Sequence, residues 1–366
     1  MESELMHRIS LSLVPNVGDV ISRSLLTHFG SASAVFKASA AKLETVDKVG
    51  KVVSKSIRDF KDFSIAEDEI RFIHKYNIKP ISILDDDYPR RLLNCIDAPS
   101  LLYYKGNADL NADKMVAFVG TRSNSDYGRH ITENLTEGLA EIGATILSGL
   151  AFGIDTIAHK AALKNNLPTI GVVGHGLDVI YPSQNKILAK DMLLANGGLL
   201  TEFMSKTKPD KQNFPKRNRI VAGMCDALVV VESGKKGGSL ITAALADSYN
   251  KDVFAIPGRA IDSKSEGCNF LIKNNKAALV ETAGDIIMNM GWDYRKVNKK
   301  QQRALFIELS DDEHKIVEAL KDKDQVHVDE IFLGTGLSSS TVAQALLMLE
   351  MQNIVQSMPG KLYRLL

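Results

Sequence analysis

The stretch Met115-Val116-Ala117-Phe118-Val119-Gly120-Thr121-Arg122 is an apolar run that ends in a glycine, a threonine and an arginine. Further short apolar runs follow it at 144–147, 169–173, 198–201, 227–231, 252–256 and 277–280. Helical patterns separate most of these runs, at 129–141, 155–164, 184–195 and 239–250. Buried strands that alternate with helices are typical of a parallel sheet with helices on both faces. The sequence therefore predicts an α/β fold with a Rossmann-like parallel-sheet core.

The segment before this core, residues 1–68, is predicted to be a small all-helical domain. Its apolar residues recur at helical spacing with short breaks at 14–18 and 46–50, which suggests a helix-hairpin-helix or SAM-like domain. Turn amides in such hairpins can hold a DNA phosphate; a helical interaction module is the alternative. The usual Gly-x-Gly is reduced to Asn16-Val17-Gly18 and Lys48-Val49-Gly50, and lysine adopts the left-handed conformation less readily than asparagine.

The core is assigned to residues 69–294, in which 69–110 extend the sheet with strand-like runs around Tyr88-Pro89 and at 101–104. A charged linker is expected over 295–306 and a C-terminal winged-helix domain over 307–366. The winged helix is predicted from helices at 312–321, 329–333 and 339–352, followed by a hairpin around Pro359-Gly360.

The third of these helices occupies the place from which a winged helix usually reads DNA. It would bury four apolar side chains, those of Val342, Ala345, Leu346 and Leu349, and its only charge is Glu350. A helix without lysine or arginine is poorly equipped to neutralise phosphates, so a protein contact is favoured over base readout.

The composition of the chain limits the classes of protein that it can belong to. No stretch approaches the roughly 20 apolar residues of a membrane span, and the N-terminus lacks an apolar signal region. The cysteines, Cys95, Cys225 and Cys268, are far apart and form no CxxC unit, so neither a disulfide framework nor a metal site is expected. We expect a cytoplasmic protein without a membrane partner. Because the net charge is only +1, a site for a polyanion must come from local clustering.

The predicted strands end in residues that suit an anion. In an open parallel sheet, ligands bind beyond the carboxyl ends of the strands. Here those ends are Gly120-Thr121-Arg122, Ser148-Gly149 and Gly174-His175-Gly176. Glycine permits close backbone approach, and amides at the start of the next helix favour an anion, so we predict a phosphate-binding groove. The alternative is that the glycines only turn the chain from strand to helix.

The strongest basic feature is the run 206–219, which holds six cations against Asp210 alone. We interpret it as a loop that faces the glycine-rich strand ends, beside Arg122; a solvated loop without function is the alternative. Lys216, Arg217 and Arg219 would bind phosphates. Phe214 or Phe152 would stack on an unpaired base, which contributes about 1–3 kcal/mol.

Motifs for a nucleotide cofactor or for catalysis are broken or absent. Gly174-His175-Gly176 is followed by Val179 where the dinucleotide fingerprint needs glycine or alanine, and 234–239 lacks the P-loop order. Asp155 and His159 stand four residues apart and could suit acid–base chemistry or a metal. We favour a structural pair with Asp155 as the helix N-cap. We therefore expect no cofactor, no metal and no enzyme activity.

Six ordered motifs between 115 and 260 resemble the DNA processing protein A family (DprA, also called Smf). They are Val119-Gly120-Thr121-Arg122 with Tyr127-Gly128, the run 148–155 with Ala158-His159, Gly176-Leu177-Asp178 with Tyr181-Pro182, the run 214–220, Gly238-Ser239-Leu240-Ile241-Thr242, and Ile256-Pro257-Gly258. The three-domain layout is also similar to that of the family.

The resemblance implies a protein that binds and protects incoming single-stranded DNA in natural transformation, helps to load RecA recombinase and works as a homodimer. It implies DNA contacts at Arg122 and Lys216. The full set of candidate nucleic-acid-binding residues is Gly120, Thr121, Arg122, Ser148, Gly149, Phe152, Phe214, Lys216, Arg217, Asn218, Arg219, Gly238 and Ser239. The alternatives are a nucleotide hydrolase of the lysine-decarboxylase-like type, whose motif Glu has no counterpart after 236–242, and a small-nucleotide sensor.

Overall fold

A computed structural model describes residues 2–292, 309–321, 323, 325–352 and 354–365. Residues 2–292 belong to one compact unit, and the described residues from 309 onward belong to a second. The linker predicted over 295–306 lies outside the described residues. Among the described helices, none is by itself long and apolar enough to cross a membrane; one pair bent by 115°, Val328–Thr335 with Ser339–Met351, meets the criterion by length and composition.

The first unit contains fourteen α-helices and nine strands in its described part. The helices are α1 Glu2–Leu13, α2 Asp19–Phe29, α3 Ala32–Lys37, α4 Ala40–Leu43, α5 Lys51–Asp59, α6 Ser64–Tyr76, α7 Arg90–Leu93, α8 Asp126–Gly138, α9 Ile154–Lys164, α10 Lys186–Leu194, α11 Asn213–Met224, α12 Gly238–Ser248, α13 Glu266–Lys273 and α14 Ala283–Asn289. The strands are β1 Lys79–Ser82, β2 Leu101–Gly106, β3 Met115–Val119, β4 Thr145–Ser148, β5 Thr169–Val172, β6 Gly198–Thr201, β7 Ala227–Val230, β8 Asp252–Ala255 and β9 Ala278–Leu279.

All nine strands form one sheet in the order β1-β2-β6-β5-β4-β3-β7-β8-β9. The seven strands from β6 to β9 in this order run parallel to one another. Strand β3 shows why both faces are covered: Met115, Ala117 and Val119 enter one apolar cluster, while Val116 and Phe118 enter another. Successive side chains of a strand point to opposite faces, so helices bury the sheet on both sides. The predicted Rossmann-like core is confirmed.

The predicted extension of the sheet is present, with one correction. Strand β2 pairs with β6 and β1 pairs with β2, both antiparallel. The run around Tyr88-Pro89, however, is not a strand. The Tyr88 side chain is buried and its hydroxyl donates to the Pro99 carbonyl at 2.6 Å, so this segment fills space beside the sheet instead of joining it.

The N-terminal helices contain the two turns that the sequence indicated. Asn16 and Lys48 both have φ near 66°, so the lysine adopts the left-handed conformation as fully as the asparagine does. Gly18 and Gly50 then stand as the N-caps of α2 and α5. The boundary predicted between 68 and 69 falls inside α6, and the division of residues 2–292 into two domains stays a prediction.

The second unit has its own apolar core. Its elements are α15 Asp311–Leu320, β10 Val326–His327, α16 Val328–Thr335, α17 Ser339–Met351, β11 Val355–Met358 and β12 Leu362–Leu365. The strands pair in the order β10-β12-β11, and β11 and β12 are the predicted hairpin. The four apolar residues expected on the inner face of α17 are all buried. The predicted winged helix is confirmed.

Candidate nucleic-acid interface

The carboxyl ends of β3, β4 and β7 open into one cavity of about 540 Å³, which α11 and the N-terminus of α12 complete. It brings together nine of the predicted residues: Gly120, Thr121, Arg122, Gly149, Phe214, Arg217, Asn218, Gly238 and Ser239. Its wall also includes Lys211, Asp155, Ser233 and Thr242. We call this cavity the groove. Its position beyond the strand ends is the one that the sheet topology predicts.

Two glycines are required where strands β3 and β4 reach the groove. A Cβ on Gly120 would lie 2.9 Å from Cβ of Ile154 and closer still to its Cγ1. A Cβ on Gly149 would overlap the guanidinium of Arg217. Any side chain at 149 would therefore displace Arg217, and the glycine is what lets this arginine lie against the end of β4.

A smaller cavity adjoins the groove and supplies aromatic surface. Phe152 and Tyr181 line it together with Arg122, Phe214 and Arg217, which line both cavities. The Arg122 guanidinium carbon lies 5.2 Å from the centre of the Phe214 ring, and the Tyr181 ring centre lies 6.0 Å from the same point. Phe152 and Tyr181 are 41% and 46% exposed, so faces for stacking are accessible at the mouth.

The basic run is not a loop throughout, because its second half forms helix α11 from Asn213. On this helix Phe214, Arg217 and Asn218 are three and four residues apart and share the face toward the groove. Lys216 and Arg219 lie on another face and line a separate cavity of about 400 Å³ beside Asp19 and Glu202. The predicted position of these two cations on the rim is thereby corrected.

Arg219 is engaged in the interior of the first unit. Its side chain is 11% exposed and donates to Asp19 at 2.9 Å, to Glu202 and to the Asp97 carbonyl. Since Asp19 begins α2 and also accepts from the Ser100 amide at 3.0 Å, the arginine joins the N-terminal helices to the sheet. Ser148 is also withdrawn from the groove: it is buried, and its hydroxyl donates to the Phe118 carbonyl at 2.7 Å.

Arg217 is the buried cation that lines the groove, close to the buried carboxylate of Asp155. It is 5% exposed, and Nη1 donates to the Val172 carbonyl at 3.1 Å, while its Nε has no hydrogen-bond partner among the described residues. Burial lowers the pKa of Arg217, and the nearby Asp155 opposes that shift. A guanidinium stays charged in proteins, so this site presents a positive charge whose hydrogen bonds are incompletely used.

Asp155 was predicted to be the N-cap of its helix, but the N-cap of α9 is Gly153. The carboxylate instead reaches back and accepts from the amides of Gly149 and Ala151 at 3.1 and 3.3 Å. Burial raises the pKa of Asp155, and Arg217 together with these hydrogen bonds opposes the shift. Asp155 therefore fixes the turn after β4 against which Arg217 lies, which makes it a positioning residue.

The two histidines near the groove have structural partners. His159 contacts the Thr169 hydroxyl through Nδ1 at 2.7 Å, and burial lowers the pKa of His159 to about 3. His175 bonds the Gly176 carbonyl through Nδ1 at 2.9 Å and accepts the Tyr181 amide at Nε2, and burial lowers its pKa as well. In the described part of the chain, no group of three or more His, Cys, Asp or Glu is placed to hold a metal ion.

The part of the groove wall that follows β7 was not predicted from the sequence. Ser233 and Thr242 line the groove, and the Ser239 hydroxyl donates to Ser233 at 2.8 Å. Glu232, just before them, is buried and accepts from the Ser125 amide at 2.9 Å and from its hydroxyl. The glycines after β7 were the available signal, since they mark a third strand end at the same edge of the sheet.

The fold and the groove define a class: Rossmann-like proteins with a cationic, glycine-lined groove at the strand ends, joined here to a winged helix. Residues 79–291 match the family described as DNA recombination-mediator protein A. Residues 301–361 match the DprA winged helix domain, and residues 9–67 match a helix-hairpin-helix motif. The chain belongs to the DNA recombination-mediator protein A (DprA/Smf) family.

Relatives and solved structures agree with this assignment. The chain is 36% identical to Protein Smf of Synechocystis over 79% of its own length and 73% of that protein. It is 47% identical to DNA processing protein DprA of Streptococcus pneumoniae over 56% of its length and 72% of that protein. The X-ray structure of the S. pneumoniae protein is similar with a TM-score of 0.68 at 36% identity, over 77% of this chain and 97% of that one.

A structure of DNA processing protein A from Helicobacter pylori, described for its single-stranded DNA binding mode, is also similar. Its TM-score is 0.53 at 30% identity, over 59% of this chain and 96% of that one.

Proposed function

We propose that this protein binds single-stranded DNA in the groove. The observation that carries the proposal is the stack of Arg122 over Phe214 at the mouth, with Arg217 buried below. Arg122 and Lys211 would contact phosphates along a strand, and Arg217 would bind one that reaches the base of the groove. The single-stranded DNA binding described for the H. pylori relative supports the same ligand.

The aromatic side chains favour a single strand over a duplex. Phe152, Tyr181 and Phe214 present ring faces at the mouth of the groove, and only an unpaired base can lie against such a face. The glycine amides of residues 120 and 238 add donors that bind backbone phosphates without reading sequence. We therefore expect little sequence preference and a steep dependence on salt.

Lys216 lies outside the groove, and we propose that it contacts the strand from another face of α11. It is exposed and lies two residues from Phe214, on the side of α11 that lines the Asp19 cavity. A strand that crosses the N-terminal end of α11 would meet Arg122 on one side of the helix and Lys216 on the other. The resemblance to the family supports both contacts.

The biological role that we propose is DNA processing in natural transformation: protection of the incoming strand, assistance in loading RecA, and action as a homodimer in the cytoplasm. The names of the relatives, DNA processing protein DprA in S. pneumoniae and Bacillus subtilis among them, support the first element. The described cysteines are free and buried, which fits a reducing compartment.

We propose a binding protein and not an enzyme. Asp155 is committed to two amides and His159 to Thr169, so neither stands ready to exchange a proton with a ligand. Release of free base from nucleoside monophosphates by the purified protein would support the alternative, a nucleotide hydrolase.

The test is fluorescence anisotropy with single- and double-stranded oligonucleotides of about 20 nucleotides at two salt concentrations. The Arg122→Ala/Lys216→Ala variant should lose at least about tenfold in single-strand affinity. The matched control is Lys273→Ala/Lys276→Ala, which removes two exposed charges. Lys273 ends α13 and Lys276 precedes β9, so both lie where a parallel strand begins, whereas the groove lies where the strands end. Equal affinity of the two double variants would overturn the site, and equal affinity for duplex would overturn the choice of ligand.

A further inference from the structure

Helix α17 of the winged-helix unit presents an apolar row to solvent. Leu347, Met348 and Met351 are 57%, 44% and 73% exposed. They stand three and four residues apart and so share one helix face, on which Gln344 and Ser340 lie in the preceding turns. We call these three apolar residues the α17 row. Single exposed apolar side chains are common, whereas three adjacent ones on one helix form an exposed apolar patch of the kind that proteins use for binding.

The chemistry of this face does not suit a nucleic acid. Helix α17 contains no lysine or arginine, and its one charged residue, Glu350, accepts a hydrogen bond from the Ser357 hydroxyl. Residues 309–366 contain nine acidic and five basic residues, a net charge of −4. A polyanion brought to this helix would meet repulsion and find no cation on it.

We propose that the α17 row is the docking site for a protein partner that presents an apolar helical face flanked by lysine or arginine. The two methionines are flexible and polarisable, and such side chains adapt to the apolar side chains of a partner helix. The acidic character of the unit supplies the complementary charge. A second copy of this unit would bring a like charge of −4 against itself, and an anionic membrane surface would be repelled in the same way.

The probe for the test is a fluorescent helical peptide of about 18 residues with leucines at positions i, i+3, i+4 and i+7 and lysines elsewhere. Its match is the same peptide with glutamates in place of the lysines. The full-length chain is titrated against both peptides by anisotropy, at low and at high salt. The variant is Leu347→Ser/Met351→Ser. The control is Ile187→Ser/Leu194→Ser on α10, whose side chains are 74% and 75% exposed.

The lysine peptide should bind the unaltered chain at least about tenfold more tightly than the glutamate peptide, and binding should weaken with salt. The α17 variant should lose about tenfold in affinity for the lysine peptide while the α10 control keeps it. Thermal unfolding of both variants should match the unaltered chain, because all four side chains are exposed.

Three results would overturn the proposal. Equal binding of the lysine peptide by the α17 and α10 variants would show that the α17 row is not the binding surface. Loss of self-association in the α17 variant alone, measured by light scattering, would assign the row to a second copy. Binding to vesicles of phosphatidylcholine with about one third phosphatidylglycerol that the α17 variant alone loses would assign it to a membrane.

Discussion

The guanidinium carbon of Arg122 lies 5.2 Å from the centre of the Phe214 ring, so that the end of β3 and the first turn of α11 meet across the mouth of the groove. An arginine held over an aromatic face gains about 0.5–1 kcal/mol when exposed, and its orientation is restricted before any ligand arrives. The two side chains together offer a charge for phosphate and a ring for a base.

Replacement of Phe214 by alanine should therefore weaken single-strand binding by about 1–3 kcal/mol, through lost stacking and a less restricted Arg122. Competition anisotropy with an unlabelled oligonucleotide measures the change. Phe332→Ala is the control, since that ring is 40% exposed in the other unit. Unchanged affinity of Phe214→Ala would mean that the ring does not contact the strand.

Replacement of Gly149 by alanine should reduce DNA affinity although position 149 is not on a positive-φ backbone. The added Cβ would overlap the Arg217 guanidinium and force it from its place. If Arg217 contacts one phosphate, the slope of log affinity against log salt should fall by about 0.7. Gly238→Ala is the matched control in the same groove, because no described atom lies within 4 Å of its added Cβ. The same loss in both variants would point to close approach of the strand to the backbone rather than to Arg217.

Replacement of Arg219 by methionine should destabilise the first unit by about 3–5 kcal/mol, because Asp19 and Glu202 would lose a shared buried partner. Denaturant unfolding measures the loss. The folded variant should bind single-stranded DNA with an affinity close to that of the unaltered chain, in contrast to Arg122→Ala. A large drop in single-strand affinity without a drop in unfolding free energy would show that Arg219 contacts DNA.

The unfolding free energy should depend on pH through Glu202. Burial raises the pKa of Glu202 to about 7, with Arg219 opposing the shift and Asp19 adding to it. The folded state then holds more protons than the unfolded state between the unshifted pKa of 4.5 and about 7, so this residue makes stability fall as pH rises through that window.

Glu202→Gln removes the titrating group and should flatten this slope in unfolding curves measured from pH 5 to 8. The control is Glu141→Gln, an exposed carboxylate in the short 3-10 turn that follows α8. An unchanged slope in Glu202→Gln would show that another group is responsible.

The sequence was sufficient for the sheet and for the strand ends. Apolar runs such as Met115–Val119 predict a buried strand from composition alone, and the glycines that follow them predict a turn. Helix α11 was not predicted, because the basic run 206–219 was interpreted as a loop. Proline is tolerated in the first turn of a helix, which is where Pro215 lies.

Once α11 is a helix, the separation of Arg217 from Lys216 and Arg219 follows from its period of 3.6 residues. The partners of Arg219 could not be deduced in this way, since Asp19 is 200 residues distant in the chain. The role of Asp155 was hidden for a similar reason. Its bonds to Gly149 and Ala151 depend on a turn in which Leu150 and Gly153 both have positive φ, at 58° and 78°.

The two edge strands of the nine-stranded sheet influence whether this protein aggregates at high concentration. A free sheet edge is a template on which further chains can add without limit. At one edge, β1 carries Lys79 and Pro80, and the proline removes an amide donor. At the other edge, β9 is only two residues long. Both edges are thus poor seeds for fibril growth, and a large sheet can be left open at its sides without recruiting an endless series of copies.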